Sequence, residues 1–384
     1  MNINNKRKVL IITGRYLPGY KDGGPVRTIK NLTDYLGNEY DFYILTCDRD
    51  HGDTESYPGI KVNDWNRVGK ANVYYVSPKG FKRSLITQLA KGVDLVYICG
   101  CFSDYSINAL IEKRLGKIKV PVVVAAMGLF MPNAMKKKPL KYNSFLTVFR
   151  TWGMFKNIQW SASSETEAFY IKKFVDRNAE CFIAEDLPRL VDESPFTKNK
   201  KQGELNLFFI SRISPEKNLH YAIECLKKCT SKIHFSIYGF IHDQEYWQKC
   251  QQEIKELPIN IQVEYRGAVE SEKVVETLRG EHVFIFPSIG ENYGHVIQEA
   301  LSAGCPCIIS DQTPWKELEE RDVGYVYALN DMQCFTSAVD SYAAMDEKTF
   351  DSCAKAAHQY AIDNSNQKVK STGYRKIFDI KTEQ

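Results

Sequence analysis

The sequence predicts two doubly wound α/β domains joined by a polar linker. Three observations predict it. Short β-branched apolar runs alternate with helical segments, the alternation occurs twice, and the stretch between the two sets, DESPFTKNKKQGE at 192–204, is polar. Continuous apolar strands separated by helices signal a parallel sheet covered on both faces. Such sheets bind ligands beyond the carboxyl ends of their strands, so two of them facing each other make an interdomain cleft. The length of 384 residues fits two domains of roughly 100–200 residues each.

In the first half, Lys8–Thr13 reads as a buried strand ending at Gly14. The loop GRYLPGYKDGG follows, and Pro25 opens a helix reaching Leu36, since proline suits a first helical position. Further strands are expected at Phe42–Thr46, Val73–Val76, Leu95–Cys99, Val122–Ala126 and Ile158–Ser161. The first domain thus covers 1–190 and the linker 191–204. From 205 the alternation restarts, with strands at Leu205–Ser211, His234–Tyr238, Ile261–Tyr265, His282–Pro287, Cys307–Ser310 and Gly324–Tyr327. Helices are expected at Leu219–Cys229, Glu245–Glu256, Ser271–Leu278, Gly294–Ser302 and Thr349–Ala361.

Composition narrows the function. Hydrophobic residues make up 43%, enough for two cores, and 51 basic against 47 acidic residues leave a charge of only +4. So small an excess does not argue for nucleic acid, although a local basic patch suits an anionic lipid. The eleven cysteines are scattered without a CxxC pair, which argues against a disulfide framework or a zinc site and for a reducing, cytoplasmic setting. The N-terminal MNINNKRKVLIITG reads as a first strand, not a signal peptide, and no apolar run reaches the ~18 residues of a membrane span. Membrane association would therefore be peripheral.

Five segments carry candidate chemistry. In FPSIGENYGHVIQEALSAGCPCIIS a strand ends at Pro287, a loop holds Glu291, a helix begins near Tyr293, and Glu299 lies within that helix. Unpaired N–H groups and the helix dipole there suit a diphosphate, and the Glu299 carboxylate suits a diol such as ribose. The plainer reading is an amphipathic helix with two solvated glutamates. In FFISRISPEKNLHYAIECL, Arg212 and Lys217 follow a strand and precede a helix, where two cations can neutralise a diphosphate. Taken alone, a charged surface loop explains them better. Gly23-Gly24-Pro25-Val26-Arg27 lets the backbone approach a phosphate at a helix start, but it is not a GxGxxG fingerprint. Asp48-Arg49-Asp50 could hold a divalent cation, with a solvated loop favoured. Lys136, Lys137, Lys138 and Lys141 precede Phe145, Phe149, Trp152 and Phe155, a pattern for an anionic membrane surface, with a core-facing aromatic stripe weighed above it. His51 and His295 have no serine or cysteine partner at a suggestive spacing, so no hydrolytic triad is visible.

Together these segments resemble the family-4 retaining glycosyltransferases of GT-B fold, the glycosyl transferases group 1, over nearly the whole chain. GENYGHVIQEALSAGCPCIISDQTPWKEL resembles the family's paired-glutamate motif, SRISPEKNL its Arg…Lys donor-phosphate segment, and GGPVRTIKNL its N-terminal glycine loop. VPVVVAAMGLFMPNAMKKKPLK resembles a segment of members that build bacterial surface polysaccharides. The resemblance implies that Arg212 and Lys217 stabilise the departing nucleoside diphosphate and that Glu291 holds the donor sugar. It further implies that the N–H groups of Asn292, Tyr293 and Gly294 bind sugar and phosphate, that Glu299 binds the ribose, and that Gly23 and Gly24 approach the diphosphate. It assigns 205–363 to nucleotide-sugar binding, 1–190 to the acceptor, and 364–384 to a C-terminal segment, with a helix at Gln367–Lys381, returning to the first domain. No metal or other cofactor is implied, the nucleotide-sugar being a substrate. The acceptor would be a glycan or a polyprenyl-linked lipid at the inner face of the plasma membrane.

The sequence departs from the family at two places. VYICGCFSDYS carries Tyr97, Cys99 and Cys101 where many relatives have histidine, and YGFIHD lacks the usual glycine-rich form. Three other readings follow: a metal-dependent transferase using Asp48 and Asp50, a nucleotide-sugar epimerase, and a non-catalytic nucleotide-sugar-binding subunit.

Overall fold

The first strand, β1 (Arg7–Ile12), shows how the fold is built. Val9 and Ile11 enter the hydrophobic layer on one face of a sheet and Leu10 and Ile12 the layer on the other. A stretch buried on both faces needs apolar residues at every position, and Val9–Ile12 supply them after the half-buried Arg7 and Lys8. The computed structural model describes residues 6–19, 21, 23–132, 135 and 139–381. The chain divides into two compact units, residues 1–190 with 368–384, and residues 191–367.

In the first unit β2 (Tyr40–Cys47), β3 (Asp64–Val68), β4 (Ala71–Val76), β5 (Leu95–Cys99), β6 (Val122–Ala125), β7 (Gln159–Ala162) and β8 (Cys181–Ile183) join β1. Their order is β3-β4-β2-β1-β5-β6-β7-β8. The strands pair in parallel, apart from the antiparallel β3–β4 edge. Helix Gly24–Leu36 covers one face through Val26, Ile29, Leu32 and Leu36. The short helix Tyr374–Phe378 packs into the same layer, with Phe378 edge-on to Phe42 and Tyr97 at 5.6 Å. Helices Arg83–Ala90, Asp104–Arg114 and Pro139–Thr151 cover the other face.

The second unit has six parallel strands, β9 (Glu204–Ile210), β10 (Lys232–Tyr238), β11 (Ile261–Gly267), β12 (Val283–Phe286), β13 (Cys307–Ser310) and β14 (Gly324–Tyr327). Their order is β11-β10-β9-β12-β13-β14, around one core. The doubly wound architecture expected from the apolar alternation is therefore present in each unit.

Several elements differ from the sequence reading. Strand β3 was not expected, because DWNRV is a half-exposed edge without an apolar run. Strand β8 has only three residues, too few to register as a run. The helix expected at Thr349–Ala361 runs from Glu347 to Lys370. The helix expected at Gln367–Lys381 is instead the end of that helix followed by Tyr374–Phe378. A Cβ on Gly373, between them, would come within 1.9 Å of Ile183 O, so the chain breaks where its backbone presses on β8. Among the described residues no helix is long and apolar enough to cross a membrane.

The polar stretch 192–204 falls in the second unit and docks there through its lysines. Lys198, 2% exposed, donates from Nζ to Leu278 O, Arg279 O and Glu281 O at 3.3, 3.0 and 2.6 Å. Lys200, 4% exposed, donates to Ala343 O and Met345 O at 2.9 and 3.1 Å. These carbonyls lie at the ends of helices Val274–Leu278 and Met332–Ala344, where unpaired C=O groups and the dipole favour a cation.

His282 completes this docking. Its Nδ1 accepts the Asn206 N–H at 2.9 Å and its Nε2 donates to Asn199 O at 3.1 Å, so the ring is neutral. Burial, with Lys198 and Lys200 nearby, pulls its pKa from 6.5 down to about 4. The unfolded chain therefore takes up this proton first as pH falls, and folding loses up to about 3 kcal/mol between about pH 6.5 and about pH 4. Thermal melts of the native chain should drop more steeply over that window than those of His282→Gln. Equal slopes would remove the effect.

Candidate functional site

In the second unit the strand order reverses between β9 and β12: β10 and β11 continue to one side of β9, β13 and β14 to the other side of β12. Loops leaving two such strands diverge and open a crevice at their carboxyl ends. Arg212 and Lys217 leave β9 there, and Glu291 leaves β12.

The β9 loop is held from below and from its end. Ile213 is fully buried and anchors the middle. Pro215 opens the short 3-10 turn Pro215–Lys217, and Asn218, at φ 62°, ψ 38°, turns the chain into helix Leu219–Leu226. Asparagine tolerates that left-handed conformation, and its Nδ2 also donates to Pro287 O at 2.9 Å. Ile289 N–H donates to Glu216 O at 3.1 Å, so the two loops are tied by backbone as well.

These ties bring the charges together. Lys217 Nζ lies 2.5 Å from Glu291 Oε1, with side chains 13% and 11% exposed. Ser288 Oγ, fully buried, donates to the same carboxylate oxygen at 2.9 Å. Lys217 Nζ also sits 5.7 Å from the Phe286 ring centre. Arg212 is more open: its Nη2 lies 3.7 Å from Glu216 Oε1, with side chains 41% and 22% exposed. An ion pair so little exposed has lost much of its hydration, so removing one partner strands the other.

The Glu291 loop leads into helix His295–Ser302, one residue shorter at its start than the Gly294–Ser302 expected from sequence. Gly294 stands before it at φ 81°, where a Cβ would lie 3.0 Å from Ile297 Cδ1 and 3.4 Å from Trp315 Nε1. Trp315 Nε1 donates to Tyr293 O at 2.6 Å, and Glu291 N–H donates to Gln312 O at 3.2 Å. The loop is thus pinned from the β13 side too. Asn292 is exposed, while Tyr293 is 8% and Glu299 3% exposed.

On the other flank, Gly239 follows β10. Its φ is 139°, and a Cβ there would fall 1.7 Å from Ser211 O. Phe240 O accepts the Ile213 N–H at 2.9 Å. The single glycine that YGFIHD retains therefore lets the β10 loop press against the loop carrying Arg212.

In the first unit Gly23, at φ 63°, precedes helix Gly24–Leu36, and nothing lies within 4 Å of a Cβ built on Gly23 or Gly24. Two expectations are corrected. Asp48 and Asp50 are not solvated: they are 1% and 4% exposed. Asp48 takes two bonds from Arg49 at 2.8 and 3.1 Å, and Asp50 accepts the Lys21 and His51 N–H groups. Among the described residues no cluster of three or more His, Cys, Asp or Glu side chains has a metal-holding arrangement. The aromatic segment also divides. Phe145, Phe149 and Phe155 join the core layer beside Trp160, whereas Trp152 is 69% exposed. Lys136, Lys137, Lys138 and the Lys141 side chain lie outside the described residues. Cys99 and Cys101 are buried, and burial pushes both thiols up, away from the reactive thiolate. His295 is 9% exposed, with its ring 4.8 Å from that of Tyr293.

Sequence reasoning missed Ser288, Asn218 and Trp315, which position the charged groups. It also missed Asp186, whose carboxyl is pushed up to about 7 by desolvation and by Glu167. Only Asn218, polar at a loop-to-helix junction, carried a sequence signal.

Chemically, the second unit places two cations, a helix start and a carboxylate at one crevice. Residues 191–360 match the family model described as glycosyl transferases group 1. Among solved structures, HepE of Anabaena, crystallised with UDP and glucose, is 14% identical with a TM-score of 0.64, covering 95% of this chain and 99% of that one. WaaG, a glycosyltransferase involved in lipopolysaccharide biosynthesis, is 14% identical at 0.63, covering 98% and 100%. Sucrose-phosphate synthase of Thermosynechococcus elongatus is 13% identical at 0.69, covering 97% and 99%. No curated protein sequence matches the chain. The fold is GT-B.

Gly239→Ala should cost about 2–4 kcal/mol in urea denaturation, because both conformation and space exclude the methyl group. A variant as stable as the native chain would contradict the packing described.

Proposed function

We propose that this glycosyltransferase, whose second unit carries the group 1 domain, moves a sugar from a nucleotide-sugar donor to a glycan or polyprenyl-linked acceptor with retention of configuration and without a metal. The setting we propose is bacterial surface polysaccharide synthesis in the cytoplasm, at the inner face of the membrane. The observation that carries the reading is the Lys217–Glu291 pair beside Arg212 at the strand-order reversal. Support for the donor class comes from HepE, which was crystallised with UDP and glucose, and for the pathway from the lipopolysaccharide role of WaaG.

The ion pair suggests a sequence of events. A diphosphate entering the crevice takes Lys217 from Glu291 and Arg212 from Glu216. Glu291, still held by Ser288, turns its freed acceptor capacity to the sugar hydroxyls. The N–H groups of Asn292, Tyr293 and Gly294 line the helix start beside the phosphate and sugar, and Glu299 takes the ribose. Gly23 and Gly24 offer open backbone to a phosphate. As the donor's C1–O bond breaks with oxocarbenium character, charge grows on the leaving diphosphate. The two cations and the helix start stabilise that charge, the main electrostatic task of the reaction. The acceptor hydroxyl attacks from the face the diphosphate leaves, and a diphosphate oxygen takes its proton. This route asks for no histidine in the segment that holds Tyr97, Cys99 and Cys101.

Arg212→Ala and Lys217→Ala should each lower kcat about 10²–10³-fold, the effect of losing one preorganised charge donor. Glu291→Ala should lose transfer far more than nucleotide binding. Retained turnover with both cations replaced, inverted product by NMR, or loss of activity in a chelator would each overturn part of the reading. The last would favour the metal-dependent alternative. Isomerised donor without acceptor would point to an epimerase, and binding without transfer to a non-catalytic subunit.

A further inference from the structure

Three large exposed apolar side chains gather at one corner of the first unit. Trp152 is 69% exposed, Leu115 57% and Val148 44%. Val148 and Trp152 stand one helical turn apart, with the Trp152 N–H on Val148 O at 3.0 Å. Arg114, the neighbour of Leu115, donates from Nε to Trp152 O at 3.0 Å. The carboxyl ends of helices Asp104–Arg114 and Pro139–Thr151 therefore meet. In a β-α-β unit the helix runs back against its strands, so this corner lies at the amino-terminal edge of the sheet, away from the ligand-binding edge of that unit.

The two segments that form the corner carry one sign of charge, with Glu180, which accepts from Gln159 at 2.9 Å, at their border. Segment 113–120 contains Lys113, Arg114, Lys117 and Lys119, segment 143–157 contains Arg150 and Lys156, and neither contains an aspartate or glutamate. The nearby Glu112 is 1% exposed and paired with Arg83 and Lys117. Cations in a last helical turn commonly complement the dipole, which accounts for Lys113, Arg114 and Arg150. It does not account for Lys119 and Lys156, beyond the helices, or for a tryptophan left in water. Tryptophan is highly buried on average, and an apolar cluster rimmed by polar groups marks an interaction surface.

We propose that this corner, Leu115, Val148 and Trp152 ringed by Arg114, Lys119, Arg150 and Lys156, docks on an anionic lipid surface. The indole seats at the headgroup level, where amphipathic aromatic rings collect, and the cations face lipid phosphates. The proposed function supplies only its purpose, bringing the enzyme to a lipid-linked acceptor. Binding is read without donor or acceptor, so failure of either reading leaves the other testable.

The test is cosedimentation of the full chain with phosphatidylcholine vesicles, with and without phosphatidylglycerol. Binding is expected only to the anionic vesicles and should fall with added salt. Each cation near such a surface contributes about fivefold in partitioning, so the triple variant Lys119→Ala, Arg150→Ala, Lys156→Ala should bind about 100-fold more weakly. Trp152→Ala should weaken binding roughly tenfold. Circular dichroism should show both variants folded, since all four side chains are exposed. Equal binding to neutral vesicles, no binding at all, or full binding by both variants would overturn the proposal. Retention on an acidic protein or heparin with no affinity for vesicles would overturn it too, and would assign the corner to a soluble polyanion.

Discussion

The hydrogen bonds between loops 211–218 and 287–291 are the constraint on which the second unit's chemistry depends. Strand reversal alone would separate the loops. Asn218 on Pro287 O and Ile289 N–H on Glu216 O draw them back, and only then do Lys217 and Glu291 come within 2.5 Å. The crevice is open by topology and narrow by hydrogen bonding. Each charged group sits on backbone that a neighbouring strand end fixes, with Gly239 to one side and Trp315 to the other. Holding charges in place before a ligand arrives spares the cost of arranging them during reaction.

The ion pair also sets the resting state. With its two members little exposed, neither charge is left alone in a poorly hydrated place. Arg212, at 41% side-chain exposure and 3.7 Å from Glu216, is held more loosely. One cation is stored against its partner and the other stays within reach of solvent.

Much of this was legible in the sequence, for reasons that differ by element. Strands such as Val122–Ala125 and Val283–Phe286 are buried on both faces, so their composition alone marks them. Strand β3 was hidden because an edge exposed to water needs no apolar run. The charged site residues were visible as residue types following strands, yet sequence could not say that Lys217 and Glu291 touch. That contact depends on Ser288 and Asn218, whose roles are set by tertiary position. The burial of Asp48 and Asp50 is not legible in the sequence because their partners, the Arg49 guanidinium and the backbone N–H groups of distant Lys21 and adjacent His51, leave no periodic trace.

The lysines of the stretch 192–204 have a bearing on where the second unit begins. A polar stretch with three lysines and little apolar surface invites excision as a mere tether. Yet Lys198 and Lys200 plug the exposed carbonyl ends of two helices, and Asn199 holds the imidazole of His282. A fragment started at 205 would leave those helix ends open to water and give the imidazole no carbonyl to grip. Starting at 191 would keep the plugs, so the structural frontier of that half lies upstream of its first strand.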